Sequence, residues 1–234
     1  MKSKLIAEFF GTFFLVLAGT GAIVINDVSA NAISHVGIAL TFGLVILALI
    51  YTFGDVSGAH FNPAVTVGFA LAGRMSWRPV PAYIVAQLIG AFAGSGVLWF
   101  LFPSHQTLGS TLPAGAHMQS FILELLLTFL LMLVILNVST GAKEKGITAG
   151  IVVGSVIALE ALFAGPISGA SMNPARSIAP AVVSGKVDPL WIYIAAPMLG
   201  AALAKFACIA VRPGDCCNCA LPRPGTLQKE PAPK

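Results

Sequence analysis

The polar and apolar positions of this chain alternate on a long scale: six apolar runs are separated by short polar breaks. Residues 5–25, 36–53, 83–102, 121–138, 147–163 and 190–211 each hold enough consecutive apolar side chains to cross a bilayer as one helix. The first run is too long, and too much like the later ones, to be a cleaved leader. Residues 26–34 read as a short polar loop, 74–78 as a basic turn, and 103–118 as a loop rich in Gly, Pro and Ser. Two further short helices are predicted over 63–72 and 174–183. Asn62 and Asn173 stand where they can cap helices that begin at Pro63 and Pro174.

The two Asn-Pro breaks are copies of one another. Ser57-Gly58-Ala59-His60-Phe61-Asn62-Pro63-Ala64 returns as Ser168-Gly169-Ala170-Ser171-Met172-Asn173-Pro174-Ala175, with six of eight positions identical. The flanks repeat as well. Glu8 with Thr12 matches Glu124 with Thr128, and Leu88-Ile89-Gly90-Ala91 matches Met198-Leu199-Gly200-Ala201, all roughly 110 residues apart. The chain is thus two related halves, residues 4–102 and 119–211, with three spans each. An odd number of spans per half inserts the halves upside down relative to each other, so the two breaks dip into the membrane from opposite faces. Non-helical backbone at that depth is tolerated only where it is buried in protein or lines a cavity.

Composition agrees with an integral membrane protein: of 234 residues, 57% are hydrophobic and 9% charged, and the mean hydropathy is +0.89. The net charge of +4 is scattered near span ends rather than gathered in a patch, which argues against nucleic-acid binding. Lys2, Lys4, Arg74, Arg78, Lys143, Lys145 and the tail fall on one side of a six-span topology, while 103–118 carries no Lys or Arg. The positive-inside rule then places both termini of this multi-pass cell-membrane protein in the cytoplasm. The Pro-rich tail, 212–234, reads as disordered. Cys216, Cys217 and Cys219 lack the spaced second pair of a structural zinc site. No span pairs a nucleophile with a base and no His cluster resembles a metal centre, so no enzyme, metal or cofactor is expected.

The chemistry follows from where the short helices start. Two helix N-termini pointing at the midplane each present about half a positive charge, which disfavours cations. Asn62 and Asn173 offer amide donors, and the carbonyls of Gly58, Ala59 and His60 and of Gly169, Ala170 and Ser171 offer acceptors. That lining suits a small neutral molecule carrying hydroxyl groups. Arg176, directly after the second motif, can hydrogen-bond a solute and repel cations. Glu8 and Glu124 read as structural props that accept from loop N–H groups; a proton-coupling pair is the rival reading. His60 lines the pore or is a satisfied structural side chain. Glu160 has no acidic counterpart in the first half, and spacing does not assign it a role.

These residues resemble the major intrinsic protein, or aquaporin, family: two Asn-Pro-Ala motifs, the second continued by Arg176, and a Glu in the first span of each half. The resemblance covers residues 4–211. It implies an all-α fold of six tilted transmembrane helices plus two re-entrant half-helices, a pore in every subunit, and a homotetramer. Family members narrow the pore with four side chains, and the matching positions are Phe42, Ala161, Ala170 and Arg176. Strict water channels usually carry a bulky His where Ala161 stands. The glycerol branch usually carries Asp where Ser177 stands. The Ser-Gly-Ala stretches before both motifs are similar to nodulin-like intrinsic proteins and their bacterial relatives, a branch that often passes glycerol, urea or uncharged metalloid acids. Against that background the Cys216–Cys219 cluster could be a thiol site for arsenite, a palmitoylation site, or without function.

The reading is therefore a passive channel in the lipid bilayer for water and small uncharged solutes such as glycerol, urea, boric or arsenous acid, excluding ions and protons. A strict water channel is the alternative. A secondary transporter and a structural junction protein are rivals of other classes.

Overall fold

The computed structural model describes residues 1–139 and 143–212; most of the expected tail, with Cys216, Cys217 and Cys219, lies outside them. Among the described residues the chain is all-α. The helices are α1 (Lys2–Val28), α2 (Ser34–Ser57), α3 (Pro63–Leu71), α4 (Val80–Leu101), α5 (His117–Val138), α6 (Lys143–Ser168), α7 (Pro174–Ser184) and α8 (Leu190–Val211). Six of them are long and apolar enough to cross a membrane. The helices α3 and α7 are the two short ones, each begun by a proline that has no N–H to leave unpaired at a helix start.

α8 keeps its expected bounds, whereas α1, α2 and α6 extend beyond theirs at both ends, most of all α6. Expected to end at 163, it continues through Pro166 to Ser168. Proline has no N–H for the carbonyl four residues back. That carbonyl belongs to Leu162, and the Nε2 of His35 on α2 lies 2.7 Å from it, supplying the missing donor. α2 likewise runs on past 53 to Ser57 and stops at Gly58, whose φ of 90° is left-handed.

Packing repeats the duplication. α1 lies along α4 as α5 lies along α8, and α2 lies along α6 across the two halves. Small residues set these distances. A Cβ on Gly90 would come within 2.3 Å of the Phe9 carbonyl oxygen, and one on Gly200 within 2.3 Å of that of Leu125. Gly43 and Gly154 each face the other's carbonyl at 2.6 Å by the same construction. Gly11 instead makes room for the ring of Phe61. Large apolar side chains such as Phe10, Leu44, Phe100, Leu126 and Phe206 are exposed on the outside. Glu8, Gln87, Glu124, Glu160 and Arg176 are buried. This distribution suits a bilayer as solvent.

Candidate functional site

The Asn-Pro loops owe their shape to the buried carboxylates. Gly58, Ala59 and Phe61 in one loop, and Gly169, Ala170 and Met172 in the other, have left-handed φ values between 42° and 90°. For a non-glycine residue that conformation costs roughly 1–2 kcal/mol. The offset is charge-assisted hydrogen bonding. Glu8 Oε1 accepts from Ser57 Oγ at 2.7 Å and His60 N at 3.0 Å, while Oε2 accepts from Phe61 N at 2.7 Å and Gln87 Nε2 at 2.8 Å. Glu124 Oε1 accepts from Ser168 Oγ at 2.7 Å and Ser171 N at 2.8 Å, and its Oε2 accepts from Met172 N at 2.8 Å. Tyr83 and Tyr193 complete the pair by donating to the Ser57 and Ser168 carbonyls.

Held in this way, the loops bring α3 and α7 together end to end. Asn62 Oδ1 accepts from Ala64 N at 2.8 Å, and Asn173 Oδ1 from Ala175 N at 3.0 Å, so each caps its own helix. The amide nitrogens reach across: Asn62 Nδ2 donates to the Met172 carbonyl at 2.7 Å, and Asn173 Nδ2 to the Phe61 carbonyl at 2.9 Å. An amide has two N–H groups, so each Asn spends one on the brace and has a second left over.

On one side of this junction Thr66 Oγ1 donates to the Asn62 carbonyl and is approached by His60 Nδ1 at 3.1 Å and Gln87 Nε2 at 2.9 Å. Because its only proton is spent, His60 must donate through Nδ1. The other half uses hydroxyls instead. Thr111 donates to Ser177 at 2.8 Å, Ser177 pairs with Ser171, and Ser171 donates to the Asn173 carbonyl at 3.0 Å.

A narrow cavity of about 50 Å³ runs past both Asn side chains. Phe42, Ala161, Ala170 and Arg176 all line it, together with Ala59, His60 and Ser171. Leu15, Ile46, Ile50, Leu131, Val153 and Ile157 form its apolar wall. Gly58 instead faces a wider vestibule of about 910 Å³, which His60 also borders. Gly169 lines neither space and packs on Thr111. Arg176 is 2% exposed. Its Cζ lies 5.1 Å from the centre of the Phe42 ring, and Nη1 donates to the Gly109 carbonyl at 2.7 Å. Glu160 lies outside the cavity lining, and both its oxygens are buried without a hydrogen-bond partner among the described residues.

Two opposed helix starts, two capping Asn residues and one buried Arg thus surround one lumen. Over residues 1–208 the sequence matches the model of the family described as major intrinsic protein. The chain belongs to the major intrinsic protein family. It is 47% identical to aquaporin NIP1-1 of Zea mays over 89% of this chain and 74% of that protein. With nodulin-26 of Glycine max it shares 46% over 91% and 79%. The aquaglyceroporin of Plasmodium falciparum has the same fold, with a TM-score of 0.78 at 26% identity over 87% of this chain and 93% of that one. This major intrinsic protein is a multi-pass membrane channel of the nodulin-like branch, not an enzyme.

Several contributors were not singled out from sequence. Ser57 and Ser168 open the repeated octapeptides, and Tyr83 and Tyr193 share the spacing of the flanking Gly90 and Gly200, so the duplication itself marked them. Gln87 has no such signal, since Pro197 stands at its counterpart position. The Gly109 carbonyl is a backbone group that no side-chain pattern announces.

Proposed function

We propose that this channel passes small uncharged solutes such as glycerol, urea or boric acid as well as water, with Phe42, Ala161, Ala170 and Arg176 as its selectivity filter. The observation that carries this reading is the meeting of two alanines with Phe42 and Arg176 around one lumen. The alanines leave width, Arg176 offers donors and repels cations, and Phe42 supplies an apolar face for carbon-bound hydrogens. The aquaglyceroporin neighbour supports a filter that admits more than water. Solute oxygens exchange hydrogen bonds with the free N–H of Asn62 and Asn173 and with Arg176. Cations and protons are held back by the two helix N-termini and the guanidinium.

The same reading takes residues 1–211 as the channel unit and 212–234 as a cytoplasmic tail. Both termini lie in the cytoplasm because Lys2, Lys4, Arg74 and Arg78 gather at one face. Four identical subunits associate, each with its own pore.

The test is stopped-flow light scattering on proteoliposomes, comparing osmotic water flux with uptake of glycerol, urea and boric acid. Uptake above empty vesicles supports the reading. Ala161→His should then lower glycerol flux by about tenfold or more while sparing water. Water flux without solute uptake means a strict water channel, and an unaltered glycerol flux in Ala161→His means that Ala161 is not in the filter.

A further inference from the structure

The loop between α4 and α5 folds inward at Leu108–Thr111 and meets the Arg176 side of the lumen. Leu108 is 1% exposed and has a φ of 50°; Gly109 follows with a φ of 74°. Two successive left-handed residues aim the Gly109 carbonyl at Arg176 Nη1. A Cβ at Gly109 would come within 2.7 Å of Thr20, so the turn is wedged against α1. Ser110 N and Oγ both donate to the Thr107 carbonyl within the turn, and on its outer side the acceptor is His105. Its Nδ1 lies 3.0 Å from Leu108 N and 3.4 Å from Thr107 N, and both are backbone donors aimed at it. Its Nε2 lies 3.2 Å from Asp27 Oδ2 at the end of α1. The imidazole is 9% exposed and Asp27 is 51% exposed.

The hydrogen-bond pattern fixes the tautomer. A carboxylate only accepts, so Nε2 carries the proton; a backbone N–H only donates, so Nδ1 must offer its lone pair. The network is complete with neutral imidazole. A second proton would go to Nδ1 and set an N–H against two others. Asp27 would still hold the ring through Nε2, but the turn would lose its acceptor. Histidine is the side chain that gains a proton between roughly pH 5 and 8. Of the described residues lining the crevice around His105, Asp27 is the other charged one.

We infer that His105 is a positioning residue for Arg176: through the turn at 107–109 it holds the Gly109 carbonyl against the guanidinium, and it lets go when Nδ1 is protonated. Acidification then frees Arg176 Nη1, and the filter shifts toward that of a channel lacking the arginine. This rests on the reading of Arg176 as a filter residue.

The experiment measures water, glycerol and urea permeabilities of one proteoliposome preparation, with both sides buffered at the same pH, in steps from about pH 7.5 to about pH 5. Arg176→Ala at the higher pH supplies the reference ratios. The wild-type solute-to-water ratios should move toward that reference on acidification, by about threefold to tenfold, the factor expected for losing one hydrogen bond. His105→Asn places a non-titrating oxygen near the position of Nδ1 and should keep the neutral-pH ratios down to the lowest pH. His105→Ala, where it folds, should show the acid ratios throughout. His35, His60 and His117 are unchanged in His105→Asn, so any pH response of theirs remains in that variant and can be subtracted. If the wild type and His105→Asn follow one pH curve, the inference is overturned. If Arg176→Ala itself leaves the ratios unchanged, the filter reading fails instead.

Discussion

Gly90→Ala tests the packing on which the lumen depends. The added Cβ would lie 2.3 Å from the Phe9 carbonyl oxygen and 3.1 Å from Phe13 N. Carbon–oxygen contacts settle near ~3.3–3.6 Å, so α1 and α4 must separate by about 1 Å. Both obstructing atoms belong to backbone, so no side chain can rotate away. Overpacking of this kind costs about 1–3 kcal/mol, against up to about 1 kcal/mol gained from alanine's better helix propensity. Strain wins because the contact cannot relax without moving a helix. The displaced stretch of α1 includes Glu8, which precedes Phe9, so the loop at 57–61 loses its anchor as the helices part. Gly200→Ala meets the Leu125 carbonyl at the same 2.3 Å and should behave alike. Gly96→Ala is the control: nothing lies within 4 Å of its Cβ position. Thermal unfolding of the purified protein in one detergent at one scan rate, read by tryptophan emission, should show both packed variants melting lower by about 2–4 °C per kcal/mol. Gly96→Ala should melt at or above the wild type. If all three melt with the wild type, the close approach of α1 to α4 and of α5 to α8 is wrong.

Glu124→Gln keeps one oxygen for Ser168 and Ser171 but sets an amide N–H against Met172 N. An orphaned buried donor costs about 1–3 kcal/mol. The same melting assay should fall accordingly, and unchanged stability would mean that the loop does not need the carboxylate. Glu160→Leu should raise stability by about 1–3 kcal/mol, because both carboxyl oxygens are buried without partners. Leu49, itself buried, holds the matching position in the other half. A loss of stability or of flux in Glu160→Leu would give that carboxyl a role the static structure does not carry.

The architecture was legible because duplication and hydrophobicity are both linear signals. Six apolar runs became six long helices, and the two octapeptides became two loops leading into half-helices. What escaped the sequence was set by partners far along the chain. The expected span 147–163 fell short of Ser168, and the extension through Pro166 is matched by a donor from His35, which local sequence does not announce. Within the site, residues obeying the repeat were recoverable, while those that break it were not. Gln87 serves the first half alone, donating to Glu8 and to Thr66, whereas in the second half the hydroxyls of Thr111, Ser177 and Ser171 brace the helix start and none of them reaches Glu124. The Gly109 carbonyl reaches Arg176 from 67 residues away, through a loop that the sequence marks only as polar and rich in Gly, Pro and Ser.

The carboxylates bear on passive flux as against proton-coupled transport. A coupling residue must gain and lose a proton during each cycle without dismantling its surroundings. Glu8 accepts four hydrogen bonds and Glu124 three, and two in each set come from the backbone N–H groups of the loop that presents the Asn residue. Protonating either would add a donor among donors and release a loop whose left-handed residues are held by those bonds. Neither carboxylate lines the lumen, and Glu160 does not reach it either. The polar side chains that line the lumen are those of Asn62, Asn173, Ser171, His60 and Arg176. On the proposed reading the pore keeps these charges still while a neutral molecule exchanges hydrogen bonds along it. An imposed proton gradient should therefore leave the equilibrium distribution of solute across proteoliposomes unchanged, and accumulation against a gradient would refute the assignment of Glu8 and Glu124 as fixed acceptors.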